Sequence, residues 1–234
     1  DEIKADPNES ISIFESCLLG DKKGLITYDE YLNQLQKSLK KCTCQASWST
    51  DQLLVHCLDC EKTKNSCICI NCFLKGNHQG HRIILTHSSA ASCDCGDPLF
   101  WSPSGFCSDH PGPEPHPEQT QLTSETRIKL LSISKAALSL YLEYSKTNIS
   151  LFEKITDFLS NLVSIGDATR RCVSLALQDS FSFYDLYSSS FDLNKTAMSK
   201  LLNFMGSLTN DDVFRNYFSL SFMTDLPKFI AINK

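Results

Sequence analysis

The chain has 234 residues and a net charge of -5 at neutral pH. It lacks the basic stripe that nucleic-acid-binding proteins normally carry, so nucleic acid is not an expected partner. It also lacks any run of eighteen apolar residues, so neither a membrane span nor a membrane partner is predicted. The sequence starts at Asp1 rather than Met, and we expect it to be part of a longer protein.

Residues 1–41 are predicted to form an N-terminal helical segment. Apolar side chains recur there every three or four residues, as they do along one face of a helix. They are Ile11, Phe14, Cys17 and Leu18, followed by Tyr28, Tyr31, Leu32, Leu35 and Leu39. Gly20 and Gly24 lie between the two groups, so we expect two short helices with a break between them.

Residues 42–112 contain ten of the twelve cysteines and five of the six histidines. Two ligands one or two residues apart can reach one metal ion from a single turn, which is typical of closed zinc sites. Eleven side chains follow this pattern: Cys44 alone, then Cys57 and Cys60, Cys69 and Cys72, His78 and His81, Cys93 and Cys95, Cys107 and His110. One zinc takes four ligands, so a single bridging thiolate would let eleven ligands serve three ions. The pattern predicts a module with several zinc ions.

A disulfide framework is the alternative explanation for an even number of cysteines. Disulfide-rich domains do not pair histidines as His78 and His81 are paired, and nothing at the N-terminus resembles a signal peptide. Thiolates available to zinc indicate a reducing compartment, so we expect a cytoplasmic or nuclear protein, or both. The module has few large apolar side chains and no His-Glu-x-x-His motif, so the zinc is expected to be structural rather than catalytic.

Residues 113–119 are predicted to be a proline-rich linker, and residues 120–234 an all-α helical scaffold. A cap region is expected at Thr123–Thr126 for the first helix. Further helices are expected at 148–165, 167–185, 195–206 and 210–224, with breaks at Gly166 and Pro227.

Two groups of side chains in this scaffold could be taken for functional sites, but neither indicates catalysis. We expect Arg170 and Arg171 to lie on a solvated face of their helix. We expect the aromatic residues that follow to belong to the core, namely Phe181, Phe183, Tyr184 and Tyr187.

The spacing of all eleven ligands, together with Cys93-Asp-Cys95-Gly-Asp97, resembles the UBR box. This is the zinc module with which N-recognin ubiquitin ligases bind the N-terminal residue of proteins destined for degradation. The resemblance covers about residues 42–112 and implies a small metal-stabilised fold, mostly loops with short helices and strands. It implies three zinc ions, held by Cys57, Cys60, His78 and His81, by Cys44, Cys69, Cys72 and Cys93, and by Cys72, Cys95, Cys107 and His110. Cys72 would then bridge two of the ions.

The resemblance also implies a recognition site for protein N-termini. A free α-amine is cationic, and a basic first residue adds a second positive charge, so a site for both needs fixed carboxylates. By resemblance these are Asp94 and Asp97, although aspartates next to glycine also often only cap turns. The remaining pocket positions would be Thr63, Asn65, Cys67 and Ser92. The family's readers of basic residues have an acid at the position of Thr63, and its loss weakens attraction for a guanidinium.

Two functions are compatible with this sequence. The first is the substrate-recognition region of an N-degron-pathway E3 ubiquitin ligase, which we expect to bind destabilising, basic protein N-termini through a zinc-stabilised acidic cleft. The alternative is a UBR-box scaffold that has lost N-terminal recognition. A B-box or RING module is less suitable, because Cys44, Cys93, Cys95, Cys107 and His110 are surplus to it. The fragment itself is expected to be non-catalytic, and the parent to be a RING-type ubiquitin transferase that recruits a ubiquitin-conjugating enzyme.

Overall fold

A computed structural model of the protein describes residues 7–44, 46–48, 51–88, 91–180, 184–185 and 193–232. The chain divides into two compact units. The cysteine-rich unit consists of residues 40–115, and the helical unit consists of the described residues up to Leu39 and from His116 onward. The domain limits given above stay a prediction. Within the described part of the chain, no helix is both long and apolar enough to cross a membrane.

The helical unit begins with two short helices, α1 (Pro7–Leu19) and α2 (Tyr28–Ser38), joined by a 3₁₀ turn at Gly20–Lys22. The predicted break at Gly20 and Gly24 is confirmed, because both adopt positive φ angles, of 53° and 83°. Helix α2 starts at a capping box. The Glu30 N–H donates to the Thr27 hydroxyl at 3.2 Å, and the Thr27 N–H donates to the Glu30 carboxylate at 2.8 Å.

The described residues of the cysteine-rich unit form two small antiparallel sheets, one short α-helix and a 3₁₀ turn at Pro103–Gly105. Strands β1 (Ser47–Trp48) and β5 (Ala91–Ser92) pair with each other, with Ser47 opposite Ser92. Strand β2 (Gln52–Cys57) lies between β3 (Ile68–Cys69) and β4 (Ile83–Ser88). Helix α3 (Ile70–Lys75) follows β3 directly. The predicted mixture of loops with short helices and strands is therefore confirmed.

The rest of the helical unit contains the elements α4 (Pro117–Thr120), α5 (Ser124–Thr147), α6 (Ile149–Ile165), α7 (Asp167–Ser180), α8 (Lys195–Leu208) and α9 (Asp212–Ile232). The predicted cap is confirmed, since the Thr126 N–H donates to the Thr123 hydroxyl at 3.2 Å. Asn148 and Asn194 cap α6 and α8 in the same way.

Helix α6 contributes strongly to the helical core, because nine of its seventeen residues are buried. Helix α1 packs on it through Phe14, whose ring centroid lies 5.5 Å from that of Phe158. The N-terminal helices and the helices after His116 therefore share one hydrophobic core.

The predicted break at Pro227 is wrong, because α9 continues through it to Ile232. A proline inside a helix leaves the carbonyl four residues earlier without its partner and bends the helix. Here that carbonyl belongs to Met223, whose side chain is 69% exposed, so water can reach this face of the helix.

The predicted solvated face at Arg170 and Arg171 is also wrong, because only 2% and 4% of their surface is exposed. Arg170 forms an ion pair with Asp167 at 2.5 Å. Arg171 donates from Nε to Asp211 at 2.7 Å and also pairs with Asp212. A buried charge requires a partner, and the partners of Arg171 lie 40 and 41 residues away in the sequence.

The aromatic residues predicted for the core near position 181 fall mostly outside the described residues. Phe181, Phe183 and Tyr187 are among those outside. Tyr184 is described and is half-buried.

Candidate metal centres and recognition site

The eleven predicted ligands lie in the short elements of the cysteine-rich unit and in the turns that connect them. Cys57 ends β2, and Cys60 lies one turn later, where its N–H donates to the Cys57 carbonyl at 3.0 Å. Cys69 ends β3 and caps α3, and Cys72 lies in the first turn of that helix. His81 and His110 each donate their N–H to the carbonyl of the ligand three residues earlier, at 3.1 and 3.2 Å. Tight local turns thus aim each pair in one direction.

The structure gathers these side chains into three groups of four. They are Cys57, Cys60, His78 and His81; Cys44, Cys69, Cys72 and Cys93; and Cys72, Cys95, Cys107 and His110. Within each group the four ligand atoms all lie within 4.8 Å of one another. Cys72 belongs to two groups, so its sulfur can bridge two ions.

The atom-to-atom distances fit tetrahedral zinc. Bonds of about 2.0–2.3 Å place neighbouring ligand atoms roughly 3.3–3.8 Å apart. His81 Nδ1 lies 3.4 Å from Cys57 Sγ and 3.3 Å from Cys60 Sγ. His110 Nδ1 lies 3.4 Å from Cys72 Sγ and 3.1 Å from Cys107 Sγ. These side chains need only small adjustments to surround an ion.

The thiols perturb one another strongly because they are crowded. Hydrogen bonds with the thiols of Cys44, Cys69, Cys93 and Cys95 raise the pKa of the Cys72 thiol far above its ordinary value. The hydrogen bond with Cys72 is the main cause that lowers the pKa of Cys95 to about 4. Thiols this close share their protons, whereas divalent cations would favour the thiolate forms and offset much of the resulting negative charge. The arrangement is suited to binding a metal.

Surrounding residues hold the ligands in place. The His78 ring is stacked on Phe73 at 5.2 Å between ring centroids and meets Trp101 edge-on at 6.2 Å. Trp101 is fully buried, and its Nε1–H donates to the Gly105 carbonyl at 3.2 Å. The Cys107 N–H points at the Cys95 sulfur at 3.3 Å, which stabilises a thiolate there.

The turn that carries Asp94 and Asp97 depends on Gly96. Gly96 has a φ of 91°, and a Cβ added there would lie 2.4 Å from the Cys42 carbonyl oxygen. A larger residue would therefore meet backbone, which cannot move aside easily. The Asp97 N–H donates to the Asp94 carbonyl at 3.0 Å and closes the turn. Two carboxylates are thus held beside the ligands Cys93 and Cys95.

Both carboxylates also bind local backbone. The Cys67 N–H donates to Asp94 Oδ2 at 2.8 Å, and the Leu99 N–H donates to Asp97 Oδ1 at 2.9 Å. Burial raises the pKa of the Asp94 carboxyl to about 6, although the hydrogen bond from Cys67 acts in the opposite direction. Each side chain is half-buried, so each still reaches the surface.

The other predicted pocket residues lie on the loop before β3 and on β5. The Thr63 and Ser66 hydroxyls are 2.8 Å apart, and Asn65 and Ser92 are exposed. Cys67 is buried, and its thiol donates to the Ser92 carbonyl at 3.5 Å. The hydrogen bonds of Cys67 therefore connect this loop to the strand that leads into Asp94.

Sequence reasoning missed two features beside this loop. Lys62 donates from Nζ to the Pro98 carbonyl at 2.5 Å, one residue beyond Asp97. His56 Nδ1 lies 3.4 Å from Glu61 Oε2, and both side chains are largely buried. Lys62 and Lys64 flank Thr63 in the sequence. These two positive charges beside a predicted pocket residue were the sequence feature from which the role of Lys62 could have been predicted.

Comparison with known proteins agrees with this geometry. Residues 43–110 match the family described as the zinc finger in N-recognin, the UBR box. The segment is a UBR box. Its description as a zinc finger and its three cysteine and histidine clusters both support zinc binding.

Several proteins that are similar to this chain are named E3 ubiquitin-protein ligases. PRT6 of Arabidopsis thaliana is 37% identical over 71 residues, which are 30% of this chain and 4% of PRT6. UBR3 of Homo sapiens is 25% identical over an alignment of 199 positions, which spans 74% of this chain and 10% of UBR3. UBR1 of Mus musculus is 31% identical over 83 residues, which are 35% of this chain and 5% of UBR1. The chain is related to the UBR-box E3 ubiquitin ligases.

Each match covers only a small part of the relative, namely 10% of UBR3, 5% of UBR1 and 4% of PRT6. The alignment with UBR3 is much longer than the UBR box, so it includes residues outside the zinc finger. The similarity therefore extends into the helical unit.

Proposed function

We propose that this chain is a substrate-recognition region of a ubiquitin ligase, and that its UBR box binds the N-terminus of substrate proteins. The observation that carries the proposal is the turn at 93–97. It holds the carboxylates of Asp94 and Asp97 next to two predicted zinc ligands. We further propose that the UBR box contains three zinc ions, two of them bridged by Cys72.

The zinc ions have a structural role in this proposal. Each group supplies four protein ligands, which leaves no open coordination position for a reactant. When bound, the ions supply folding free energy to a unit whose own core is small. They also fix the backbone on both sides of Asp94, because Cys93 and Cys95 belong to two groups that share Cys72.

The bound α-amine would be recognised by charge and hydrogen bonding. An ammonium group needs acceptors for three N–H donors, and carboxylate oxygens are the strongest acceptors available. Asp94 and Asp97 are fixed before a ligand arrives, so little side-chain entropy is lost on binding. Ubiquitin transfer and the binding of a conjugating enzyme would belong to other parts of the whole ligase, in a reducing compartment.

The proposal is tested with a peptide that has a free N-terminus and with variants of the two acids. Asp94→Asn and Asp97→Asn should each weaken binding at least tenfold, about 1.4 kcal/mol, because each removes a charged acceptor. Asp51→Asn is the matched control. It removes the same charge from the same unit, at an exposed residue that pairs with His87. An equal effect of all three variants, with zinc content unchanged, would contradict the proposed site.

A scaffold without N-terminal recognition is the second candidate. It is favoured by one observation, namely that Asp94 and Asp97 both accept hydrogen bonds from local backbone N–H groups. Side chains that serve only to fix turns would show the same pattern. In that case the two variants would lower stability or zinc content, and no peptide would bind through its α-amine.

A further inference from the structure

A cation lies on the rim of the proposed recognition site. Lys62 runs beside the segment that follows Asp97, since its N–H donates to the Phe100 carbonyl at 2.9 Å. Its Nζ donates to the Pro98 carbonyl at 2.5 Å, which holds the ammonium one residue from Asp97. Because this group is tied to the backbone, its positive charge has a defined position.

In the loop that carries Lys62, residues 61–67, no acidic side chain is placed to neutralise the Lys62 ammonium at the proposed site. Glu61 is the only acidic residue among residues 61–67. Its carboxylate lies against His56, and its side chain is only 15% exposed. The Thr63 hydroxyl is shared with Ser66, and Asn65 is uncharged. The charged groups that this loop and the 93–97 turn bring to the pocket are therefore the carboxylates of Asp94 and Asp97 and the ammonium groups of Lys62 and Lys64, and Lys62 is held in place by its hydrogen bond to the Pro98 carbonyl.

From this balance we propose that the site takes protein N-termini whose first side chain is uncharged, and that Lys62 sets this preference. The inference rests on the proposed function, that is, on recognition of the α-amine by Asp94 and Asp97. An α-amine brings one positive charge, which these carboxylates can accept. A first residue such as Arg brings a second cation, which would approach the Lys62 ammonium at the protein surface, beside the half-buried Asp97. Like charges that approach in such surroundings repel more strongly than they do in water.

Binding measurements on the full chain test this inference. The probes are peptides identical except at the first residue, Ala or Arg, each with a free and with an acetylated N-terminus. The variants are Lys62→Gln, which removes the cation, and Thr63→Asp, which adds an acid to the same loop. Lys75→Gln is the matched control, because it removes one lysine charge from the same unit at a residue paired with Asp109. Zinc content is measured for every variant to establish that the UBR box is intact.

We expect the wild type to bind the free Ala-first peptide at least as tightly as the Arg-first peptide. Lys62→Gln should tighten Arg-first binding about fivefold relative to Ala-first binding, and Thr63→Asp should shift this ratio in the same direction. Lys75→Gln should leave the ratio unchanged. A wild type that prefers the Arg-first peptide tenfold would overturn the inference. So would a Lys62→Gln variant with an unchanged ratio.

Failure of the underlying function gives a different result. If acetylation changes the affinity of neither peptide, recognition of the α-amine is absent, and the inference falls together with the proposed function. If acetylation abolishes binding while Arg is preferred, only the inference falls.

Discussion

Asp94 and Cys67 are joined by two reciprocal hydrogen bonds. The Cys67 N–H donates to Asp94 Oδ2 at 2.8 Å, and the Asp94 N–H donates to the Cys67 carbonyl at 2.9 Å. These bonds tie the loop that carries Thr63 and Asn65 to the turn that carries Asp97. The geometry of the proposed recognition site is thereby linked to the predicted zinc ligands on either side of it, Cys69 and Cys93.

Zinc content should distinguish a bridging thiolate from an ordinary ligand. Cys72→Ser should lower the content from about three ions per chain to about one, because two sites each need this sulfur. Cys57→Ser should lower it only to about two ions per chain, since a single site is affected. Elemental analysis of the purified protein measures the ratio. Cys67→Ser, a buried cysteine outside the three groups, should retain the full content.

Equal zinc content in the Cys72→Ser and Cys57→Ser variants would contradict the shared sulfur. A wild type with two ions per chain or fewer would do so as well.

A pair of glycine substitutions separates backbone strain from steric clash. Gly80→Ala places a side chain at a φ of 80° with open space around it, and should cost about 1–2 kcal/mol. Gly96→Ala meets the same strain and in addition a clash with the Cys42 carbonyl, so it should cost clearly more. The destabilisation caused by the two substitutions is compared through the rate at which a chelator removes zinc from each variant. Equal rates for the two variants would argue against the tight turn at Gly96.

Removal of one partner from the buried ion pair of the helical unit should be strongly destabilising. Arg171→Met leaves Asp211 buried without its cation, and should lower the free energy of unfolding by about 3 kcal/mol. Lys135→Met breaks an exposed pair with Asp179 and should cost less than about 1 kcal/mol. Denaturant unfolding followed by helical circular dichroism measures both. Similar small losses would mean that Arg171 is hydrated rather than buried.

Thiol reactivity should separate the cysteines of the helical unit. Cys17 is exposed, whereas Cys172 is buried, and burial raises the pKa of the Cys172 thiol to about 12. Only the thiolate reacts, so Cys172 should stay unmodified in the folded protein at mildly alkaline pH while Cys17 is alkylated readily. Mass spectrometry of the alkylated peptides reports both sites. Modification of Cys172 at the rate of Cys17 would contradict the packing of α7.

Local sequence patterns were enough to predict several parts of this structure. The ligand pairs could be recognised because two ligands one or two residues apart need only a single turn. The Thr123 cap and the break at Gly20 and Gly24 follow from equally local chemistry. Each of these features depends on residues within a few positions of one another.

The features that were missed depend on distant partners. The local sequence predicts that Arg171 is a surface residue, because its partners Asp211 and Asp212 come beside it only in the folded chain. Lys62 lies next to Pro98 only because two loops run side by side, and the sequence does not give that pairing. Pro227 remains within α9 because the exposed face at Met223 permits it, which a local rule for proline does not anticipate.

The central claim is that the UBR box of this chain recognises the α-amine of a protein N-terminus. Its most direct test is the affinity of the zinc-loaded chain for one Ala-first peptide, measured by calorimetry with the N-terminus free and then acetylated. Acetylation removes the amine's charge, so the account predicts at least a tenfold loss of affinity, about 1.4 kcal/mol. Equal affinity for the two forms would contradict the account and leave the UBR box as a scaffold.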